Sequence, residues 1–262
     1  MSHPLQAFQV DQVRVEVYAS KPAQGSAAAT RAATLLRTAI LNQGHARMIV
    51  ATGNAQYDVV KGLVETTGLD WGKIEIFHMD EYVGLPDSHP ASFRLWIKTR
   101  LVDQVHPRVA HYIAGDAADA AAECRRYTEL LLESPIDVCL LGIGENGHIA
   151  FNDPHVADFH DPATVKLVEL DERCRQQQVG EGHFASLAEV PREALTLTCP
   201  ALMRSRHLIC CVPEKRKAEA VRNALEGPVS VACPGSLLRT HPQATIYLDS
   251  ESASLLAQNR SS

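Results

Sequence analysis

At 262 residues, 45% hydrophobic and 21% charged, the chain has an ordinary globular composition and length enough for a sizeable core. Its net charge of −6, with Lys and Arg scattered rather than massed, excludes a nucleic-acid surface, which needs a clustered basic stripe to replace phosphate counterions. The longest apolar runs are strand-length, too short to span a bilayer, so the expected partner is a small molecule, reached through a few local donors.

Residues 1–10 lack the basic start and apolar core of a signal peptide, and the seven cysteines form no C-x-x-C pair. Together these predict reduced thiols in a cytoplasmic protein. Val13–Tyr18 alternates apolar and polar residues, as a half-buried strand does. Residues 24–43, rich in Ala and Leu, predict a helix stopped at Gly44. A strand at 48–52 runs into a turn at Gly53, and 57–67 reads as a helix closed by Gly68. Ile74–His78 is a third strand, emptying into Asp80 and Glu81. Helical spacing over 117–132 ends before Pro135, and 137–142 (DVCLLG) is a fourth strand. His207–Val212 and 245–248 are further strands, around a helix at 215–225. Near-continuous apolar strands separated by helices predict a parallel sheet covered on both faces. The stretch 153–191 is the least regular and most polar, which suggests a lid.

Ligands of open α/β sheets sit beyond the carboxyl ends of the strands. Three polar segments follow predicted strands here: Thr52-Gly53-Asn54, His78-Met79-Asp80-Glu81, and 142–153. The first, between a strand and a helix, presents backbone N–H groups to an anion. The second offers acids for general-base chemistry, for a metal, or simply for solvent. The third crowds Gly142, Gly144 and Gly147 around His148 with Asp153 downstream, a setting suited to proton transfer. Its G-x-G-x-x-G spacing is superficially that of a dinucleotide site, without the acid expected at a later strand end.

MDEYVGLP (79–86) with His89-Pro90 and Ser92, and GHIAFND (147–153), closely resemble the glucosamine-6-phosphate deaminase family. The agreement continues through Ala194-Leu195-Thr196, Lys217-Ala218, Glu226-Gly227 and His241-Pro242, in order along nearly the whole chain. The resemblance implies a three-layer α/β/α fold with a mostly parallel, modified Rossmann-like sheet, in one domain over 1–262 with a lid within 153–191. It implies conversion of glucosamine 6-phosphate and water to fructose 6-phosphate and ammonia, without metal or other cofactor. The family often forms symmetric oligomers. His148 matches the family's ring-opening His, and Asp80 the acid that moves a proton between C2 and C1. Asn146 and Asp153 match the residues that orient the His; Thr52-Gly53-Asn54 and Lys217 match the phosphate cradle.

Four departures stand out. Asn146 replaces an Asp and Asp153 replaces a Glu, so one amide and one carboxylate flank His148. Ala55 replaces a hydroxyl residue of the cradle, and the family's flap arginine falls near His183, with Arg173 and Arg175 as nearby substitutes. Losing two such donors weakens phosphate binding, since a hydrogen bond to a charged group contributes about 1.5–3 kcal/mol. A different phosphosugar is therefore open as substrate. A 6-phosphogluconolactonase-like hydrolase is a rival reading, although that motif runs Gly-His-Thr-Ala-Ser where this chain has Gly147-His148-Ile149-Ala150-Phe151. A non-catalytic sugar-phosphate sensor is another. A metal at His155 and His160 is disfavoured, because their five-residue spacing does not place both on one helix face.

Overall fold

The computed structural model describes residues 3–257. In chain order its elements are β1 (Gln6–Val10), β2 (Val13–Tyr18), α1 (Lys21–Gln43), β3 (Ala46–Val50), α2 (Tyr57–Val64), β4 (Ile74–His78) and β5 (Asp80–Tyr82). Then come α3 (Phe93–Ile97), α4 (Asp103–Val105), β6 (Val109–His111), α5 (Ala120–Leu132), β7 (Val138–Leu141), β8 (Val165–Glu169) and α6 (Glu172–Gly180). The chain continues through β9 (Glu193–Leu197), α7 (Cys199–Met203), β10 (His207–Val212), α8 (Ala218–Glu226) and β11 (Ala244–Asp249).

Eight strands form one sheet in the order β1-β2-β11-β10-β7-β3-β4-β6, and only β1 runs antiparallel to its neighbour. The alternation of strand side chains explains the layers. Met48 and Val50 of β3, with Val138 and Leu140 of β7, join Ala28, Ala32 and Leu36 of α1 and Val59 and Leu63 of α2 in one core. Ile49, Cys139 and Leu141 point the other way, to Tyr127 and Leu131 of α5 and Val221 and Leu225 of α8. Both faces are thus covered, the three-layer arrangement expected of strands that are apolar throughout. Helix α1 begins at Lys21, three residues before its expected start, because the Ser20 side chain accepts from the Ala23 N–H and Pro22 fits the first turn. It ends at Gly44 in the left-handed region, as read from the sequence.

The expectation that 153–191 is irregular is corrected by the structure. It contains β8 and α6, and β5-β9-β8 form a second, antiparallel sheet. These strands are short, and β8 shows no period of two, since its buried residues Val165 and Val168 are three apart while Leu167 and Glu169 are exposed. The small sheet and α6 share a core of Tyr82, Phe93, Phe151, Cys174, Phe184 and Val190. Strands β1 and β6, at the two edges of the main sheet, also escaped the reading of the sequence.

Topology places the ligand site. From β3 the chain steps outward through β4 to β6, returns to the other side of β3 as β7, then steps the opposite way to β10 and β11. The loops leaving β3 and β7 therefore diverge and leave a crevice between them at the carboxyl edge.

Candidate active site

That crevice is lined by Thr52, Gly53 and Asn54 after β3, Asp80 after β4, Gly144 and His148 after β7, and Lys217 after β10. All three segments singled out in the sequence meet there. Phe93 and Phe151 form an apolar wall, their rings stacked at 5.7 Å. Gln177 and Glu181, from α6 and its C-terminal end, close the other side.

The two neighbouring acids have opposite roles, because residues on a strand alternate in direction. Glu81 points into the protein and is satisfied. It accepts from the N–H groups of Tyr82, Phe93 and Arg94 and from the Ser92 hydroxyl, so it caps the start of α3. Asp80 points into the crevice and is 7% exposed, and no hydrogen bond or ion pair reaches its carboxylate among the described residues. Burial, reinforced by the nearby Glu81 charge, holds its pKa well above the ordinary carboxylate range. Of the two acids it is the one that lines the crevice. Its strand is held by β9, where Asp80 sits opposite Thr196, and the Thr196 hydroxyl in turn accepts from Phe151 N–H. His78, one turn of chain earlier, is structural: its Nε2 accepts from Ile113 N–H at 2.8 Å, and burial lowers its pKa to about 3.

His148 lies flat against Gly144, where a Cβ would run into the imidazole ring. Its Nδ1 is 2.7 Å from Asn146 Oδ1 and 3.1 Å from Asp153 Oδ1. The orientation of the Asn146 amide follows from its other partners. Its Nδ2 donates to Asp153 Oδ1 and to Asp171 Oδ2, each at 2.9 Å, and carboxylates only accept. The amide oxygen therefore faces the imidazole, Nδ1 carries a proton, and Nε2 is the nitrogen left to meet a substrate. For Asp153, burial would raise the carboxyl, but its hydrogen bonds from His148, Asn146 and Asp171 N–H outweigh this and lower its pKa. Asp171, absent from the sequence reading, caps α6 by accepting from Cys174 N–H. An Asp-Glu pair opening a helical stretch was the available signal.

At the opposite end, Gly53 has φ of 90°, a conformation that favours glycine, and it turns β3 into the helical segment leading to α2. Lys217 is buried, and burial lowers its pKa against the opposing pull of Glu181. None of the three candidates for the missing flap arginine lines the crevice. His183 is outside the crevice lining and stands 3.5 Å behind Glu181. Arg175 donates to the Leu187 and Val190 carbonyls, and Arg173 reaches only Glu219 at 4.0 Å. Arg216, which the sequence reading did not name, stands 3.0 Å from Glu181 but, like His183, is outside the crevice lining.

Two clusters have potential metal ligands close together, His148 with Asp153 and Cys174, and Asp153 with His155 and Asp171. Both depend on Asp153, whose oxygens already accept from His148, Asn146 and Asp171 N–H. The donors present suit an orienting carboxylate better than a cation site. His160 takes part in neither cluster.

Residues 19–247 match the family model of glucosamine-6-phosphate isomerases/6-phosphogluconolactonase. The chain belongs to this family. A glucosamine-6-phosphate deaminase of Exiguobacterium sp. is 35% identical over 226 residues, covering 86% of this chain and 87% of that one. One of Pseudarthrobacter chlorophenolicus is 37% identical, covering 79% and 80%. Among solved structures, a monomeric glucosamine-6-phosphate deaminase superposes with a TM-score of 0.83 at 32% identity, over 92% of this chain and 99% of that one. A 6-phosphogluconolactonase from Shewanella baltica reaches 0.75 at 18% identity, over 92% and 99%, a likeness of fold. The three-layer fold and membership of an enzyme family are thereby established. No helix among the described residues is long and apolar enough to cross a membrane.

Proposed function

We propose that this chain deaminates and isomerises an amino-sugar phosphate, converting glucosamine 6-phosphate and water to fructose 6-phosphate and ammonia. The observation that carries the reading is one crevice holding three complementary features. Asp80 is a buried, unpaired carboxylate; His148 has its Nδ1 proton fixed; and a glycine turn with Lys217 marks an anion-binding end.

Each group has a step suited to it. His148 Nε2 moves a proton at the ring oxygen as the C1–O bond breaks, which opens the pyranose. Asp80 then takes the proton from C2, acidified by the adjacent C1 carbonyl, and returns it to C1. A base whose pKa is raised by burial is better matched to a C–H proton than a solvated carboxylate. Water adds to the resulting imine carbon at C2, and ammonia leaves. Asn146, Asp153 and Asp171 keep the imidazole oriented through the cycle. The Thr52-Gly53-Asn54 turn and Lys217 hold the phosphate, and the 153–191 stretch, through α6, acts as the lid. The seven cysteines are free thiols and all but Cys124 are buried, in keeping with a reducing cytoplasm.

The test is ammonia release with fructose 6-phosphate formation from glucosamine 6-phosphate, with galactosamine 6-phosphate in parallel. Wild type turns over at least one epimer, and His148→Ala and Asp80→Asn do not. Thermal stabilisation by either sugar without ammonia release refutes the deaminase reading and leaves a sensor.

A further inference from the structure

An anion from this chain, the Glu181 carboxylate, lines the same crevice as the Gly53 turn and Lys217 assigned to the phosphate. Glu181 is at the C-terminal end of α6, and its side chain is 7% exposed. One carboxylate oxygen pairs with Arg216 at 3.0 Å and accepts from Gln177 Nε2 at 2.8 Å. The other faces the Gly53 turn, where a Cβ on that glycine would lie 3.7 Å from it, and stands 3.5 Å from His183 Nε2. Asn54 of the same turn donates to the Glu181 carbonyl at 3.4 Å. Burial would raise this carboxyl, yet His183, Lys217, Arg216 and Gln177 together bring its pKa down to about 2. The group is therefore a fixed negative charge, placed by contacts on every side.

A phosphate seated on the Gly53 turn would share the field of Lys217 with this carboxylate, and like charges in one desolvated pocket repel strongly. We propose that Glu181 is a specificity-determining residue: its carboxylate competes with a sugar phosphate for the Gly53 turn and Lys217, and a phosphorylated ligand seats only as Glu181 leaves the cradle. The chain around it allows the departure. Gly180 and Gly182 flank Glu181, and added Cβ atoms at either would meet nothing within 4 Å. The competition falls on the phosphorylated end alone, so Glu181 narrows the advantage of a phosphorylated sugar over its unphosphorylated counterpart. This inference rests on the assignment of Thr52-Gly53-Asn54 and Lys217 as a phosphate cradle.

Calorimetric titration with inorganic phosphate and with glucitol 6-phosphate, whose C1 alcohol cannot enter the reaction, reads the competition without turnover. Glu181→Gln, and Glu181→Ala as a second variant, are expected to bind both ligands at least about tenfold tighter than wild type. Glu145→Gln removes an equal charge from Arg216 but from outside the crevice lining, 3.1 Å from the guanidinium, and is expected to gain less than about threefold. Equal or weaker binding in both Glu181 variants overturns the inference, as does an equal gain in Glu145→Gln. The ammonia assay separates the two readings. Turnover by wild type with no affinity gain sinks only the role of Glu181, whereas an affinity gain without ammonia sinks only the reaction.

Discussion

Replacing Asp80 by Asn keeps the side chain's shape and removes its charge. Asp80 is 7% exposed, with no hydrogen bond or ion pair to its carboxylate among the described residues and with Glu81 beside it. Its pKa in the folded protein is raised above the unfolded value. Below the unfolded pKa, about 4, both states are protonated and the group costs nothing. As pH climbs toward the folded pKa, the unfolded chain ionises more readily and stability is lost. Relieving a buried, unpaired charge is expected to recover about 1–3 kcal/mol at pH 8. In a chain of this length each kcal/mol moves Tm by roughly 2–4 °C. Asp80→Asn should therefore melt about 2–12 °C above wild type at pH 8, with the gap closing to about 1–3 °C by pH 4.5. Its turnover should fall about 10²–10⁴-fold, the usual contribution of a positioned base. Scanning calorimetry of both proteins between pH 4.5 and 8, with the ammonia assay at pH 8, tests the whole argument. A variant no more stable at pH 8, or one whose gain is the same at pH 4.5, would show that Asp80 is not held as an unpaired buried base.

Other perturbations separate the site from its supports. Glu81→Gln weakens four hydrogen bonds at the start of α3, so urea melts should show a loss of about 2–4 kcal/mol, while turnover of the folded protein in the cold changes little. Equal stability of that variant would contradict the capping role. Gly144→Ala forces the His148 ring aside, and kcat should drop about 100-fold or more, with a small change in Tm as the control. His78 has its pKa lowered to about 3, so folding excludes its proton and stability is lost as pH falls below about 6.5, by up to about 1.4 kcal/mol per unit. His78→Gln should flatten the urea midpoint between pH 6.5 and 4.5; parallel curves for the two proteins would count against it.

Much of the architecture followed from the sequence. Val138–Leu141 is apolar without alternation, as a strand buried on both faces is, and β7 is buried throughout. The 24–43 helix and its glycine stop were legible because small residues recur with a helical period. The three ligand-edge segments were legible too, since polar loops after apolar strands converge by topology alone. The second sheet was hidden. β5 is Asp80–Tyr82, and no propensity within an Asp-Glu-Tyr tripeptide says that it pairs with β9 across more than a hundred residues.

At the site, the chain itself determined which chemistry is available: a carboxylate at 80, an imidazole at 148, a glycine turn at 53 and a lysine at 217. Only the tertiary structure decided how those groups divide the work. Asp80 and Glu81 are adjacent and chemically alike, yet Asp80 lines the crevice with no hydrogen-bond donor to its carboxylate among the described residues, while Glu81 accepts four hydrogen bonds. Asp171 and Glu181 belong to a polar stretch with no distinctive pattern, yet one accepts from Asn146 and the other lines the crevice beside Gly53. Sequence fixes composition and local period, whereas a pKa and a partner depend on solvent exclusion and on charges brought close from distant parts of the chain.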